Sequence, residues 1–421
     1  MKKIYSIALV ICGLSAANAQ VFDTGNMMQM TDVSNTGVAV GNFAGGAAHV
    51  MWTEGSGTAT IGESDDQISG MTSISSDAKY VSGSLTNPAT GLEEMARYNT
   101  TTQVWTFLGT LSPNAGSSAW GMTSDGSTVV GLGDFGGYLG RAVKWSQATG
   151  FVDIGTTVAG SSSRANGISD DGSMVVGWQD DDYGDRFGVY WKNGVQTHLT
   201  DTNGEFVGEA VNVTPDGKTI VGANLDNIPY IWTETDGYTE LLQEDPMIEG
   251  TAISVSDDGK TVIGYLREWG TGALSGNGFI WTKETGALDL NEYVLSLGLD
   301  DLGITFALPM SISPNGKYIT GIGRSDSGYQ GFVIKLLGTL GTNNVNAAKI
   351  DIYPNPVQNT LYLTNADKID NVEIYNMVGQ KILSTNKVSK EGLNVSNLTK
   401  GAYLVKVKTG NQTETVKMLK K

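Results

Sequence analysis

Few residues of this chain are equipped for covalent or metal chemistry. His49 and His198 are its only histidines and Cys12 its only cysteine. A Ser-His-Asp triad or a histidine-held metal is therefore not expected, no catalytic residue is assigned, and no cofactor is called for. Carboxylates are plentiful, with 44 Asp and Glu. Paired carboxylates could hydrolyse glycosidic bonds, but no spacing singles out a pair. The densest acidic run, QDDDYGD at 179–185, could hold Ca²⁺ through Asp180, Asp182 and Asp185. It lacks the regular ligand spacing and terminal Glu of a dedicated calcium loop, and a solvated loop is the alternative. Recognition is the chemistry that remains. Phe43, Phe135, Tyr138, Trp178, Tyr183, Trp269 and Tyr329 recur in loops of one kind, near Asp134, Asp181, Arg267, Glu268, Arg324 and Asp326. Rings beside hydrogen-bonding groups suit a saccharide or a protein, the ring stacking and the polar groups orienting. Packing over the tops of the underlying sheets is the alternative.

The elements that carry these loops come from a repeat. The motif Ser/Thr-x-x-Gly-x-x-Val/Ile-x-Gly returns as SNTGVAVG (34–41), SSDAKYVSG (75–83, with Ala78 for the first Gly), TSDGSTVVG (123–131), SDDGSMVVG (169–177), TPDGKTIVG (214–222), SDDGKTVIG (256–264) and SPNGKYITG (313–321). Its final glycines are 42, 48, 46, 45, 42 and 57 residues apart. A period in the forties made of short strands predicts an all-β fold, a seven-bladed β-propeller of four-stranded blades over 20–337. The fourth repeat shows the unit, SRANGIS-DDG-SMVVGWQ-DDDYGD-RFGVYWK-NG-VQTHLT, with Asp-Gly and Asn-Gly supplying tight turns. The aromatic-rich loops join second to third strands, so they share one face of the disc. The hydroxyl column Ser34, Ser75, Thr123, Ser169, Thr214, Ser256 and Ser313 is read as bonding turn backbone. The residue before each (Val33, Ile74, Met122, Ile168, Val213, Val255, Ile312) is read as inner-strand core, and the aromatic ending most third strands (Trp52, Tyr98, Trp145, Trp191, Trp232, Trp281) as a wedge between blades. Asn166 occupies the place of Trp120 in the following repeat, which puts Trp120 toward the central channel. Asp289 and Glu292 have capping-box spacing and start a short helix that lengthens repeat six. VFDTG at 21–25 looks like the outer-strand segment FVDIG at 151–155, so it is assigned to the seventh blade, closing the ring.

The two ends of the chain carry different signals. Residues 1–19, with Lys2 and Lys3, an apolar run to Leu14 and Ala17-Asn18-Ala19, read as a secretory signal peptide, its apolar part too short to span a bilayer. No other run is long enough for a transmembrane segment. The net charge of −17 divides into +2 at Lys2 and Lys3, +5 over 349–421 (eleven Lys, six Asp/Glu) and −24 in the body. So acidic a body repels phosphate backbones, and nucleic acid is not an expected partner. Residues 338–349, GTLGTNNVNAAK, read as an exposed linker, and 350–421 as a small immunoglobulin-like β-sandwich of short strands broken by Asn, Gly and Pro.

Two resemblances attach to these segments. AHVMW, RAVKW, GVYW and GFIW, each after an SDDGxxVVG-like run, resemble the extracellular repeats named for a His-Ala-Phe signature, although only His49 keeps the histidine. YPNP, IYNMVGQKI, LxxGAYLVKV and the Lys-rich last strand resemble the type A sorting domain of the Bacteroidetes type IX secretion system, through Pro354, Asn355, Pro356, Gly379, Leu398, Gly401, Tyr403 and Lys417. That resemblance implies the type IX machinery and its sortase as partners, and a secreted or outer cell-surface location after signal-peptide removal. The expected function is binding of an extracellular glycan or protein without catalysis. A polysaccharide hydrolase or lyase with axial carboxylates, or a structural surface component, are the alternatives.

Overall fold

The computed structural model describes residues 19–44, 48–63, 68–134, 139–242, 247–336, 352–364, 369–376, 381–386, 392–409 and 412–421. The expected signal peptide up to Asn18, the linker, Phe135, Tyr138 and Gly379 lie outside these residues. The chain divides into two compact units, 1–341 and 342–421.

The first unit is a β-propeller of seven four-stranded antiparallel sheets. In the fourth, Ser163–Ile168, Met174–Asp180, Arg186–Lys192 and Val195–His198 follow one another from the axis outward. The seventh is built from Thr305–Ile312, Tyr318–Ser325 and Gly328–Lys335, with Gln20–Asn26 as its outer strand. Val21 pairs with Ile334 and Phe22 with Val333. The first strand of the chain therefore joins the last strands of the ring, and no sheet edge is left where the circle meets.

The motif's columns have separate physical jobs. Every column hydroxyl is buried and accepts the backbone N–H that opens the second strand, as Ser169 does from Met174 at 3.0 Å and Ser313 from Tyr318 at 2.9 Å. In six blades it also donates to the Asp or Asn two residues on, 2.7 Å for Ser169 to Asp171. The turn then needs a residue at positive φ. Gly172 supplies it at 68°, and in the second blade Ala78 adopts 62° despite its Cβ.

The final glycine answers to a feature the repeat does not announce. In six innermost strands the pairing slips by one residue, leaving Thr31, Trp120, Asn166, Val211, Ile253 and Met310 as bulge residues. Beside each bulge the two strands come so close that a Cβ on the final glycine would meet a carbonyl oxygen, for example that of Arg164 at 1.9 Å from Gly177. In the second blade the obstacle to a Cβ on Gly83 is the His49 ring, at 2.5 Å.

Neighbouring blades are joined by wedges and by a belt. Trp191 packs with Val130 and Ala142 of the preceding blade, and Trp52 with Val333 across the ring closure. Burying such a ring contributes on the order of 2–3 kcal/mol. Trp232 and Trp281 are only half-buried. At the first-turn side, N–H groups of one blade donate to the next: Asn35 to Ser76 O, Ser76 to Ser124 O, Ser124 to Asp170 Oδ1, Asp170 to Pro215 O, Asp257 to Pro314 O and Asn315 to Asn35 Oδ1, at 2.7–3.1 Å. The step from blade five to six is missing because Pro215 has no N–H to give.

Leu290–Ser296 is the short helix, with Asp289 accepting the Glu292 N–H at 3.0 Å and Leu290 and Val294 buried. Leu297 follows the last helical turn and is exposed.

The second unit has a three-stranded sheet (Ile352–Tyr353, Thr360–Leu363, Leu393–Asn394) and a four-stranded sheet (Lys381–Thr385, Asn371–Asn376, Gly401–Thr409, Gln412–Lys420). They share one core that includes Leu361, Val372, Ile374, Val405 and Met418.

Candidate functional site: the propeller channel

The innermost strands enclose a cavity of about 420 Å³ lined by residues of all seven blades. Its wall has three levels. At the first-turn side stand Ser76, Ser124, Pro215, Asp257 and Pro314, and the middle is an apolar waist of Ile74, Met122, Ile168, Val213, Val255 and Ile312. At the other end are Trp120, Arg164, Asn166 and Glu209, with Tyr265 and Ala273. The bulges put the variable residues here, since each bulge residue leaves the ladder and lines the channel.

Trp120 is held in a tight polar setting. The Arg164 guanidinium lies 3.5 Å above its ring, and the indole Nε1 donates to Ser118 Oγ at 3.1 Å. Arg164 Nη2 is 2.5 Å from Glu209 Oε1 and its Nε donates to Asn166 Oδ1 at 2.7 Å. Asn166 in turn donates to Glu209 Oε1 and to Ala210 O, both at 2.8 Å. Burial pulls the Arg164 pKa down, the Glu209 charge opposes this and the Arg186 charge adds to it. The stack continues outward, with Arg164 5.2 Å from the Trp178 ring centroid and Arg186 3.5 Å over it.

Two other carboxylates line the channel. Asp32 ties the closure together, accepting from Ile74 N (2.7 Å), Val33 N (2.8 Å) and Ser311 Oγ (2.7 Å), and burial pushes it up to about 6. Asp257 is also pushed up to about 6, by burial and by Asp170, Asp258 and Asp216 nearby. Lys218 pairs with Asp216 at 3.3 Å and Lys260 with Asp258 at 3.5 Å. Asp257 makes no ion pair among the described residues.

Of the described aromatic residues singled out in the sequence, the channel takes only Trp120. Trp178 is buried under the Arg186 guanidinium, and Phe43 is half-buried against the Met30–Val33–Trp52 cluster. Tyr183, Trp269 and Tyr329 are exposed on three different blades, at 92%, 70% and 47%. The Trp269 loop is pinned by Arg267 to Glu249 (2.8 Å) and by Trp269 N to Met247 O (2.9 Å).

The acidic loop expected as a calcium candidate is closed by its own contacts. Asp180 pairs with Arg186 at 3.2 Å, and the loop is closed by Asp181, which accepts from Tyr183 N and Asp185 N. Among the described residues no three His, Cys, Asp or Glu side chains are placed to hold a metal ion. His49 sits in the interior between blades one and two, its Nδ1 2.8 Å from Thr72 Oγ1 and its Nε2 2.8 Å from Ser84 O. Burial lowers its pKa to about 4, so it is a neutral packing residue. His198 stacks on Phe206 at 4.4 Å.

Arg164 and Glu209 escaped the sequence reading because they differ from repeat to repeat. The available clue was the final glycine, whose need for close approach marks the neighbouring bulge.

In the second unit the signature residues serve the fold. Asn355 Oδ1 accepts from Leu419 N at 2.8 Å, the Tyr403 hydroxyl donates to Thr399 O at 2.9 Å, and Leu398 packs on the core. Pro354 and Pro356 flank Asn355, Gly401 opens its strand, and Lys417 pairs with Leu404.

Residues 351–421 match the secretion system C-terminal sorting domain family. Among curated proteins no sequence matches the chain significantly. Among solved structures the chain is similar to TolB from Acinetobacter baumannii, at 16% identity and TM-score 0.41, over 62% of this chain and 63% of that one. It thus spans less than two thirds of that protein's length. It is also similar to a chain of the mitotic checkpoint complex (15%, TM-score 0.48, 80% and 97% covered) and to a putative TolB from Agrobacterium tumefaciens (14%, 0.43, 66% and 94%). No described helix is long and apolar enough to cross a membrane. The chain is a β-propeller followed by a type IX secretion sorting domain, which makes it a secreted or cell-surface protein.

Proposed function

We propose that this propeller binds an extracellular ligand in its central channel and does not turn it over. The observation that carries this reading is Trp120 at the channel wall, braced by Arg164, Asn166 and Glu209. A ring fixed by a half-buried ion pair is preorganised, and a cavity of this size falls in the range used for small ligands or single side chains. The hydrolase reading needs two working carboxylates at the axis. Glu209 is held by Arg164 and Asp32 by three donors, which leaves Asp257 alone and favours binding. The resemblance to His-Ala-Phe-type extracellular repeats and the sorting domain both suit a partner outside the cell.

The test uses the purified mature chain on panels of polysaccharides and extracellular proteins, reading capture and released reducing ends. Capture without product release, lost in Trp120→Ala with an unchanged melting point, is expected. Product release abolished by Asp257→Asn would replace binding with catalysis.

A further inference from the structure

The channel wall is asymmetric in charge as well as in polarity. Its one basic lining group, Arg164, is already engaged by Glu209 at 2.5 Å. Asp32 is satisfied by three donors. Among the described residues Asp257 is therefore the one lining charge without a counter-charge, and the charges that act on it are those of Asp170, Asp258 and Asp216. The lysines nearby, Lys218 and Lys260, are paired with Asp216 and Asp258. Directly inward of Asp257 lies the apolar waist, with Ile253 and Met310 beyond it on the same wall.

Resting on the reading that the channel is the binding site, we infer that its ligand presents an ammonium or guanidinium group on an aliphatic stem, the cationic head at Asp257 and the stem along the waist. A lysine or arginine side chain of a partner protein has this form. Such a stem buries its methylenes against Ile74, Val213, Val255 and Ile312 while its head stays at the mouth, the division of labour that long basic side chains adopt. An acidic ligand would meet Asp257 and its carboxylate neighbours. Trp120 further up the channel, with Arg164 over its ring, adds apolar ring surface for the backbone that follows the side chain.

The experiment is calorimetry on the purified mature chain with four probes of known composition: an alanine-based hexapeptide carrying one central Lys, the same peptide with Glu there, free 1,5-diaminopentane, and maltohexaose. The Lys peptide is expected to bind and the Glu peptide to fail. Asp257→Asn should weaken the Lys peptide about tenfold, the low end for a hydrogen bond to a charged group. Raising salt should weaken it further. Binding by the peptide but not the diamine assigns the head group to a protein; equal binding by the diamine assigns it to a free amine, and both support the inference. Asp257 is exposed and its carboxylate supports no turn, so the variant should fold, and its melting point checks this. Maltohexaose bound in a Trp120-dependent, Asp257-independent manner overturns the cationic ligand and keeps the channel as site. Lys-peptide binding unaffected by either Trp120→Ala or Asp257→Asn overturns both.

Discussion

Gly177→Ala separates the packing account of the motif from a turn-propensity account. A Cβ at this position falls 1.9 Å from the Arg164 carbonyl oxygen and 3.0 Å from its carbon, whereas ordinary contact starts at 3.4 Å. The two strands must then separate by roughly 1.5 Å, because the obstacle is backbone and cannot rotate aside. That separation disturbs the Arg164–Trp178 pairing and carries the guanidinium away from Trp120 and Glu209. Overpacking against backbone costs about 3 kcal/mol or more. With an unfolding entropy of about 2 cal/mol/K per residue over about 300 residues, 3 kcal/mol lowers the propeller's melting point by about 5 °C. Gly194→Ala is the control, since Gly194 has φ of 79° in the Asn193–Gly194 hairpin and no atom within 4 Å of a new Cβ. It bears only the left-handed backbone cost of about 1 kcal/mol, or less than about 2 °C. Differential scanning calorimetry of the full mature chain reads both. Equal shifts for the two variants would refute the close-approach explanation of the final glycine.

Three further outcomes are expected. Removing 20–26 strips the outer strand from the seventh sheet and exposes the Gly328–Lys335 edge, so the propeller's melting point should drop by more than that of Gly177→Ala; an unchanged value would contradict closure through this strand. Ala78→Gly should stabilise by about 0.5–1 kcal/mol in denaturant titration, because Ala78 holds φ at 62° where other blades have Gly, and a loss of stability would contradict this. Acid should act in two opposed directions. Asp32, raised from 3.8 to about 6 in the fold, contributes stability present below 3.8 and lost as pH rises through 6, a gain of about 1 kcal/mol on going from pH 7 to 5. His49, lowered from 6.5 to about 4, contributes stability present above 6.5 and lost as pH falls through 4, about 2 kcal/mol lost over the same interval. Asp257, also raised to about 6, adds to the Asp32 side, so the readable quantity is relative: on going from pH 7 to pH 5, His49→Gln should gain melting temperature against wild type. A variant that gains nothing against wild type would show that His49 is not the opposing group.

The disc was legible because its determinants repeat. Hydroxyl, turn residue, apolar neighbour and strand-ending ring occur at fixed offsets, and each offset maps to one local interaction that seven copies confirm by alignment. The outer strand at 20–26 was legible for the same reason, as a displaced copy of an outer-strand segment. The candidate site was not, because Trp120, Arg164, Asn166 and Glu209 lie at positions where the blades disagree, and they meet only through a bulge and an inter-blade ion pair. Trp178 misled for a physical reason. It ends a second strand next to an acidic loop, which reads as surface, but Arg186 folds back over its ring. Asp180 is drawn into the same contact.

The central claim is that ligand is held in the channel and not on the exposed loop rings. Labelled mature chain, as wild type, Trp120→Ala and Trp269→Ala, applied to one array of glycans and basic peptides, tests it most directly. The account predicts that features bound by wild type survive in Trp269→Ala and vanish in Trp120→Ala. Binding that survives in Trp120→Ala and vanishes in Trp269→Ala would contradict it.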